Sequence, residues 1–144
     1  EISAKPVDYY LFDEYTSDFL NPMPSNVNPD VTYTITVADT IVVNFAKEPY
    51  SMYIPNSFTP NNDGKNDIFK PVGRAVEISK YELIIFNRWG EVVFRSENPE
   101  EGWDGSDNNG KYYIDNQVFF YRMKLRSVHE PDEKVVEGHI TVLR

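Results

Sequence analysis

The run Val118-Phe-Phe-Tyr-Arg-Met-Lys-Leu-Arg126 decides the fold class. Its side chains alternate: Phe119, Tyr121, Met123 and Leu125 fall on one face of an extended chain, and Phe120, Arg122, Lys124 and Arg126 on the other. A period of two predicts a half-buried β-strand. Downstream, Val136-Glu-Gly-His-Ile-Thr-Val-Leu143 alternates in the same way, with Val136, Ile140 and Val142 opposed to Glu137, His139 and Thr141. The two runs predict a closing hairpin around His129-Glu-Pro-Asp-Glu133. Upstream, Tyr81-Glu-Leu-Ile-Ile-Phe86 and Glu91-Val-Val-Phe-Arg95 flank Asn87-Arg-Trp-Gly90, where glycine supplies the positive φ of a tight reversal. A second hairpin is expected there.

Val31-Thr-Tyr-Thr-Ile-Thr-Val37 and Ile41-Val-Val-Asn-Phe45, on either side of Ala38-Asp-Thr40, share the β-branched and aromatic bias of strands. No segment carries a helical repeat. Turn residues recur at Asp63-Gly64, Trp89-Gly90, Asp104-Gly105 and Asn109-Gly110, with prolines at Asn21-Pro-Met-Pro24 and Asn28-Pro29. The pattern predicts an all-β, Ig-like antiparallel β-sandwich of about seven strands with Greek-key-like connections. Ala46-Lys-Glu-Pro49 is the expected boundary, leaving residues 1–48 as an N-terminal extension or the end of a preceding Ig-like repeat, and 49–144 as the principal domain.

Composition narrows the function classes. The 144 residues include ten Tyr and nine Phe, enough aromatic side chain to fill a core. Fourteen basic residues against twenty-three acidic give a net charge of −9, which opposes the phosphate neutralisation that nucleic-acid binding requires. With no cysteine, a disulfide framework, a thiolate metal site and a cysteine nucleophile are excluded. No apolar run is long enough to span a bilayer as a helix, and Glu1-Ile-Ser-Ala-Lys-Pro6 lacks a basic-then-apolar pattern, so any export signal is expected upstream of this sequence.

Catalytic constellations are missing. No Gly-x-Ser-x-Gly elbow or phosphate-binding glycine motif occurs, and neither His129 nor His139 has an obvious orienting partner. Glu100 and Glu101, and Asp132 and Glu133, are adjacent loop acids of the kind that are usually only solvated. A non-enzymatic domain with no small-molecule substrate is expected. Two features suggest recognition instead. Asn61-Asn-Asp-Gly-Lys-Asn-Asp67 spaces oxygen-bearing side chains two and four residues apart around Gly64, as calcium loops do, with Asn61, Asp63, Lys65 (through its carbonyl) and Asp67 as candidate ligands. The same loop lacks an acid at Thr59 and at Lys70, which an EF-hand would need, and a turn held by Asn and Asp side-chain hydrogen bonds is the other reading. Trp89 and Trp103-Asp-Gly105 could stack on a ligand or plug the end of a core. The aromatic load also fits a carbohydrate-binding or adhesin module.

These motifs carry a resemblance. Tyr53-Ile-Pro-Asn-Ser-Phe-Thr-Pro-Asn-Asn-Asp-Gly-Lys-Asn-Asp-Ile-Phe69, then Ile85-Phe-Asn-Arg-Trp-Gly-Glu-Val-Val-Phe94, then Gly102-Trp-Asp-Gly105 and a closing Gly138-His-Ile-Thr-Val-Leu-Arg144 resemble the gliding-motility-associated C-terminal domain. That family contains the type B sorting signals of the bacterial type IX secretion system. Asn62 stands where the family usually shows glycine, and Asp115-Asn-Gln117 where a glycine commonly precedes the aromatic pair. The resemblance implies a monomeric C-terminal sorting domain of a large secreted or cell-surface protein such as a gliding adhesin. It would pass through the periplasm and be read by outer-membrane components of the export machinery. Pro60, Gly64, Phe69, Arg88, Trp89, Gly90, Trp103, Asp104 and Gly105 are the recognition or structural positions it marks.

Overall fold

A computed structural model describes residues 2–18, 29–32, 39–107, 110–111 and 116–143. The chain divides into two compact units, Glu1–Pro49 and Tyr50–Arg144. In the first, β1 (Ile2–Ser3) pairs with β3 (Asp30–Val31), and β2 (Tyr10–Ser17) with β4 (Ile41–Lys47), both antiparallel. Tyr15 and Val31 are buried, and the Tyr15 hydroxyl donates to the Pro29 carbonyl at 2.7 Å. The strand expected over 31–37 is described only at its start, because 33–38 lie outside the described residues. So do the prolines at 22 and 24, together with Asn28, Asn109 and Asp115.

The second unit holds seven strands among its described residues: β5 (Ser51–Tyr53), β6 (Ser57–Phe58), β7 (Val72–Arg74), β8 (Glu82–Phe86), β9 (Val92–Ser96), β10 (Gln117–Arg126) and β11 (Glu133–Val142). Among the described residues the only helical turn is a 3-10 turn at Ile78–Lys80. Five strands form one sheet in the order β6-β11-β10-β8-β9, while β5 and β7 form a separate antiparallel ribbon. The core lies on the inner face of the large sheet. It joins Leu83 and Ile85 of β8, Phe119, Met123 and Leu125 of β10, and Ile140 and Val142 of β11 to Phe58, Phe69 and Trp103, with Met52 and Val76 packed against it. The unit is an all-β, Ig-like sandwich.

Both predicted hairpins form. β10 and β11 pair through ten residues from Gln117↔Val142 to Arg126↔Glu133, and the inward set of β10 is the predicted one, with Tyr121 half-buried. β8 and β9 pair from Leu83↔Ser96 to Phe86↔Val92, with a bulge after Ile85. One pairing departs from expectation: β11 and β6 run parallel, Thr141↔Ser57 and Val142↔Phe58. A parallel pair needs a long crossover, and most of the unit lies between these two strands.

Candidate functional site

The register places two of the marked loops at one end of the sheet. Phe58 lies beside Val142, Val142 beside Gln117, and Phe86 beside Phe120. The segment after β6 and the turn between β8 and β9 therefore both leave the sheet where β10 begins and β11 ends. β6 and β8 are three strand steps apart, about 14 Å at the usual ~4.8 Å spacing. Phe69 and Trp103 bring the third motif beneath the same end through an isolated antiparallel bridge. Phe69 N–H donates to the Trp103 carbonyl at 2.8 Å, and Trp103 N–H to the Phe69 carbonyl at 2.9 Å.

Asp67 organises the loop that follows Pro60. Its Oδ1 accepts the main-chain N–H of Asn61 at 3.0 Å and of Asn62 at 2.7 Å, and its Oδ2 accepts that of Gly64 at 2.8 Å. Asn61 Oδ1 accepts the N–H of Asp63 at 3.1 Å, and Asp63 Oδ1 that of Lys65 at 2.8 Å. Desolvation, the largest influence on Asp67, pushes its pKa up. The N–H groups of Gly64, Asn62, Asn61 and Asp63 together outweigh it and hold the carboxyl below its ordinary value. The chain can wind this tightly because Asn62, Gly64 and Asn66 all take positive φ, at 63°, 82° and 56°. Asparagine tolerates that conformation through its short polar side chain, so Asn62 can stand where the family pattern has glycine.

The donor set suits a hard cation in kind, and it is partly engaged by the main chain. Each carboxylate oxygen has about two acceptor sites, and both of those on Asp67 Oδ1 are filled by N–H groups. Asp67 Oδ2, Asp63 Oδ1 and Asn61 Oδ1 each accept a main-chain N–H as well. Among the described residues no group of three or more His, Cys, Asp or Glu side chains could hold a metal ion.

Trp103 belongs to the core. Only 1 % of it is exposed, its ring meets Phe119 edge-on at 4.7 Å and Phe58 at 5.5 Å, and its Nε1–H donates to the Ser106 carbonyl at 2.7 Å. Asp104 holds the following turn, its Oδ1 accepting from Ser106 N–H at 3.0 Å and Ser106 Oγ–H at 2.7 Å. Gly105 has φ of 82°, and a Cβ there would sit 3.1 Å from Pro60 Cγ and 3.3 Å from Phe58 Cζ. This turn thus buttresses the base of the Asp67 loop, where Pro60 is itself buried.

Trp89 is the opposite case. It is 66 % exposed, and the Arg88 guanidinium lies 4.2 Å from its ring centroid, a cation–π contact at the tip of the hairpin. Gly90 completes the reversal with φ of 81°. The side chain that shapes this turn is Asn87, overlooked in the sequence. It is buried, its Oδ1 accepts from the N–H of Trp89 and of Glu91, each at 3.0 Å, and its Nδ2 donates to Glu91 Oε2 at 2.7 Å. An Asn two residues before an exposed aromatic and three before glycine is the signal that could have found it.

The remaining polar candidates serve structure. Glu101 accepts from Ser96 Oγ–H at 2.6 Å, and Glu100 pairs with Lys70 at 2.6 Å. His139 is exposed on the outer sheet face, as the alternation predicted.

The model of the CHU_C type IX secretion signal domain matches residues 52–142, and so covers all seven strands of the second unit except the first residue of β5. No curated protein and no solved structure matches the chain. A type IX secretion signal implies dealings with the secretion machinery and export to the cell surface or beyond it. The chain belongs to the CHU_C type IX secretion signal domain family.

Proposed function

We propose that the second unit is a C-terminal sorting signal that carries a large surface protein, such as a gliding adhesin, through the periplasm and across the outer membrane. Outer-membrane export components would read it as a folded monomeric module, by shape and exposed side chains rather than by chemistry. The observation that carries this reading is the contrast between the two tryptophans at one end of the sheet. Trp103 is sealed inside, whereas Trp89 is held in solvent under Arg88 by a turn that the buried Asn87 fixes. A large exposed aromatic on a rigid turn is the kind of group on which binding energy concentrates. The Asp67 loop offers a second hydrogen-bonded feature at the same end of the sheet, and the Trp103 turn supports that loop.

Calcium belongs to this proposal as a stabiliser of the same loop, through Asp63, Asp67, Asn61 and the Lys65 carbonyl.

The test is to fuse the whole chain behind a signal peptide and a fluorescent protein in a bacterium with this secretion system. Surface or medium fluorescence is the expected result, and Trp89→Ala should leave the fusion folded but periplasmic. Periplasmic retention of the unaltered fusion would overturn the sorting reading. Export of Trp89→Ala at the normal rate would remove only the turn's role. Because Trp89 is exposed, a carbohydrate-binding module remains the second reading, and glycan-array binding lost in Trp89→Ala would favour it.

A further inference from the structure

One edge of the five-stranded sheet is only partly closed. β11 pairs with β10 along its whole length, but on its other side β6 covers only Thr141 and Val142. There the Thr141 N–H donates to the Asn56 carbonyl at 2.9 Å and the Leu143 N–H to the Phe58 carbonyl at 3.0 Å. Main-chain groups of odd-numbered residues therefore point to this edge, and by the two-residue period those of Val135, Glu137 and His139 do too. They have no main-chain partner among the described residues, and all three residues are exposed. The cover begins only after Pro55, which has no N–H with which to extend the ladder.

Proteins usually blunt such edges with short strands, bulges or proline. The opposite edge follows that rule: β9 has five residues and a bulge in its pairing with β8. β11 has ten residues in unbroken register and no proline.

We propose that the open edge of β11, residues 133–139, is a strand-addition site for an extended segment of a partner protein that carries basic side chains alternating with apolar ones. The charges along the edge select that sequence. Glu133, Val135 and Glu137 stand two residues apart on the outward face, so the basic side chains of an added strand, all on that face, would meet two acids, while its apolar side chains would fall on the other face beside the half-buried Val136. Arg122 contacts Glu137 at 3.3 Å from the β10 side but leaves the side chain 66 % exposed. A second copy of this chain is a poorer occupant, because each copy carries a net charge of −9. The site is distinct from the three turns and does not depend on their role.

The probe is a capped peptide of alternating Lys and Val, added to the whole chain while amide exchange is followed residue by residue. At a peptide concentration about ten times its Kd, exchange at Val135, Glu137 and His139 should slow about tenfold. Amides already bonded to β10 should not change. Val135→Pro deletes one outward N–H without removing a β10 hydrogen bond, and should abolish the slowing. Glu137→Lys, which does not depend on that proline being tolerated, should weaken the Lys-Val peptide and admit a Glu-Val one. The proposal fails if no amide slows, if the acidic peptide protects the unaltered chain equally, or if protection survives in a folded Val135→Pro variant. Slowing that depends on protein concentration without peptide would assign the edge to a second copy and also overturn it.

Discussion

Replacing Trp103 by alanine should unfold the second unit far more readily than replacing Trp89, although both tryptophans sit in the marked motifs. Trp103 is 1 % exposed, and its removal leaves Phe58 and Phe119 facing a cavity. Truncations of this kind cost about 3–5 kcal/mol where the surroundings relax only partly. The Ser106 carbonyl also loses the Nε1–H that now bonds it at 2.7 Å. For a unit of this size each kcal/mol moves Tm by about 4–8 °C, so the fall should be roughly 12 to 40 °C. Domain stabilities are only about 5–15 kcal/mol, so the loss consumes a large part of the whole. Trp89→Ala, at 66 % exposure, gives up a cation–π contact with Arg88 worth about 0.5–1 kcal/mol and little else. Urea and thermal unfolding of the whole chain, followed by far-UV circular dichroism, measures both. Trp89→Ala adds a second readout, because Trp103 is then the sole tryptophan and its fluorescence reports the core alone. Equal losses in the two variants, or a Trp103→Ala shift of only a few degrees, would refute the division into core plug and exposed contact.

Tyr81 has a buried hydroxyl with no hydrogen-bond partner among the described residues, so Tyr81→Phe should raise stability by about 1 kcal/mol in denaturant titration; a loss would mean that the hydroxyl is satisfied after all. Burial also pushes the Tyr81 pKa up to about 12 from 10.0. The folded state therefore holds its proton longer than the unfolded state, and stability present below pH 10 should drain away as pH rises toward 12. Tyr81→Phe should flatten that alkaline limb. Asp67 behaves with the opposite sign, because its folded pKa lies below 3.8: its contribution is full above that value and is lost as pH falls through the lowered folded pKa. Asp67→Ala should flatten the acid limb of an unfolding-against-pH curve, and an unchanged limb would show that the carboxylate does not hold the loop. If calcium completes the same loop, added calcium should raise Tm, chelator should lower it, and Asp63→Ala should erase the shift; a Tm indifferent to both leaves a turn held by hydrogen bonds alone.

The strands that proved legible in the sequence are those buried on one face only. Phe119, Met123 and Leu125 against Arg122 and Lys124 made β10 readable, and Ile140 and Val142 against Glu137 and His139 did the same for β11. β2 escaped notice because its alternation shifts at the bulge between Phe12 and Glu14. β6 and β7 are two and three residues long, too short for periodicity to register, and exist only because β11 and β5 pair with them. In the site, the spacing of oxygen-bearing side chains around Gly64 was visible and allowed both a cation loop and a turn held by side-chain hydrogen bonds, but not that Asp67 alone would gather the N–H groups of Asn61, Asn62 and Gly64. Composition alone could not separate a buried Trp103 from an exposed Trp89, since each sits beside glycine in a turn. What separates them is tertiary: a hydrophobic layer lies under one and solvent over the other.

The parallel pairing of β6 with β11 has a bearing on when the signal comes into existence. β6 lies near the start of the second unit and β11 at its end, yet they are neighbours in the sheet, and the described part of β6 has no other strand partner. A nascent chain that stops before residue 133 leaves β6 unpaired, leaves β10 without the strand that covers its full length, and lacks Ile140 and Val142 from the core. The sandwich is thus complete only once β11 has been made. A transporter that recognises only the finished sandwich would inspect its cargo for completeness, because a protein truncated upstream could never display the mark that admits it.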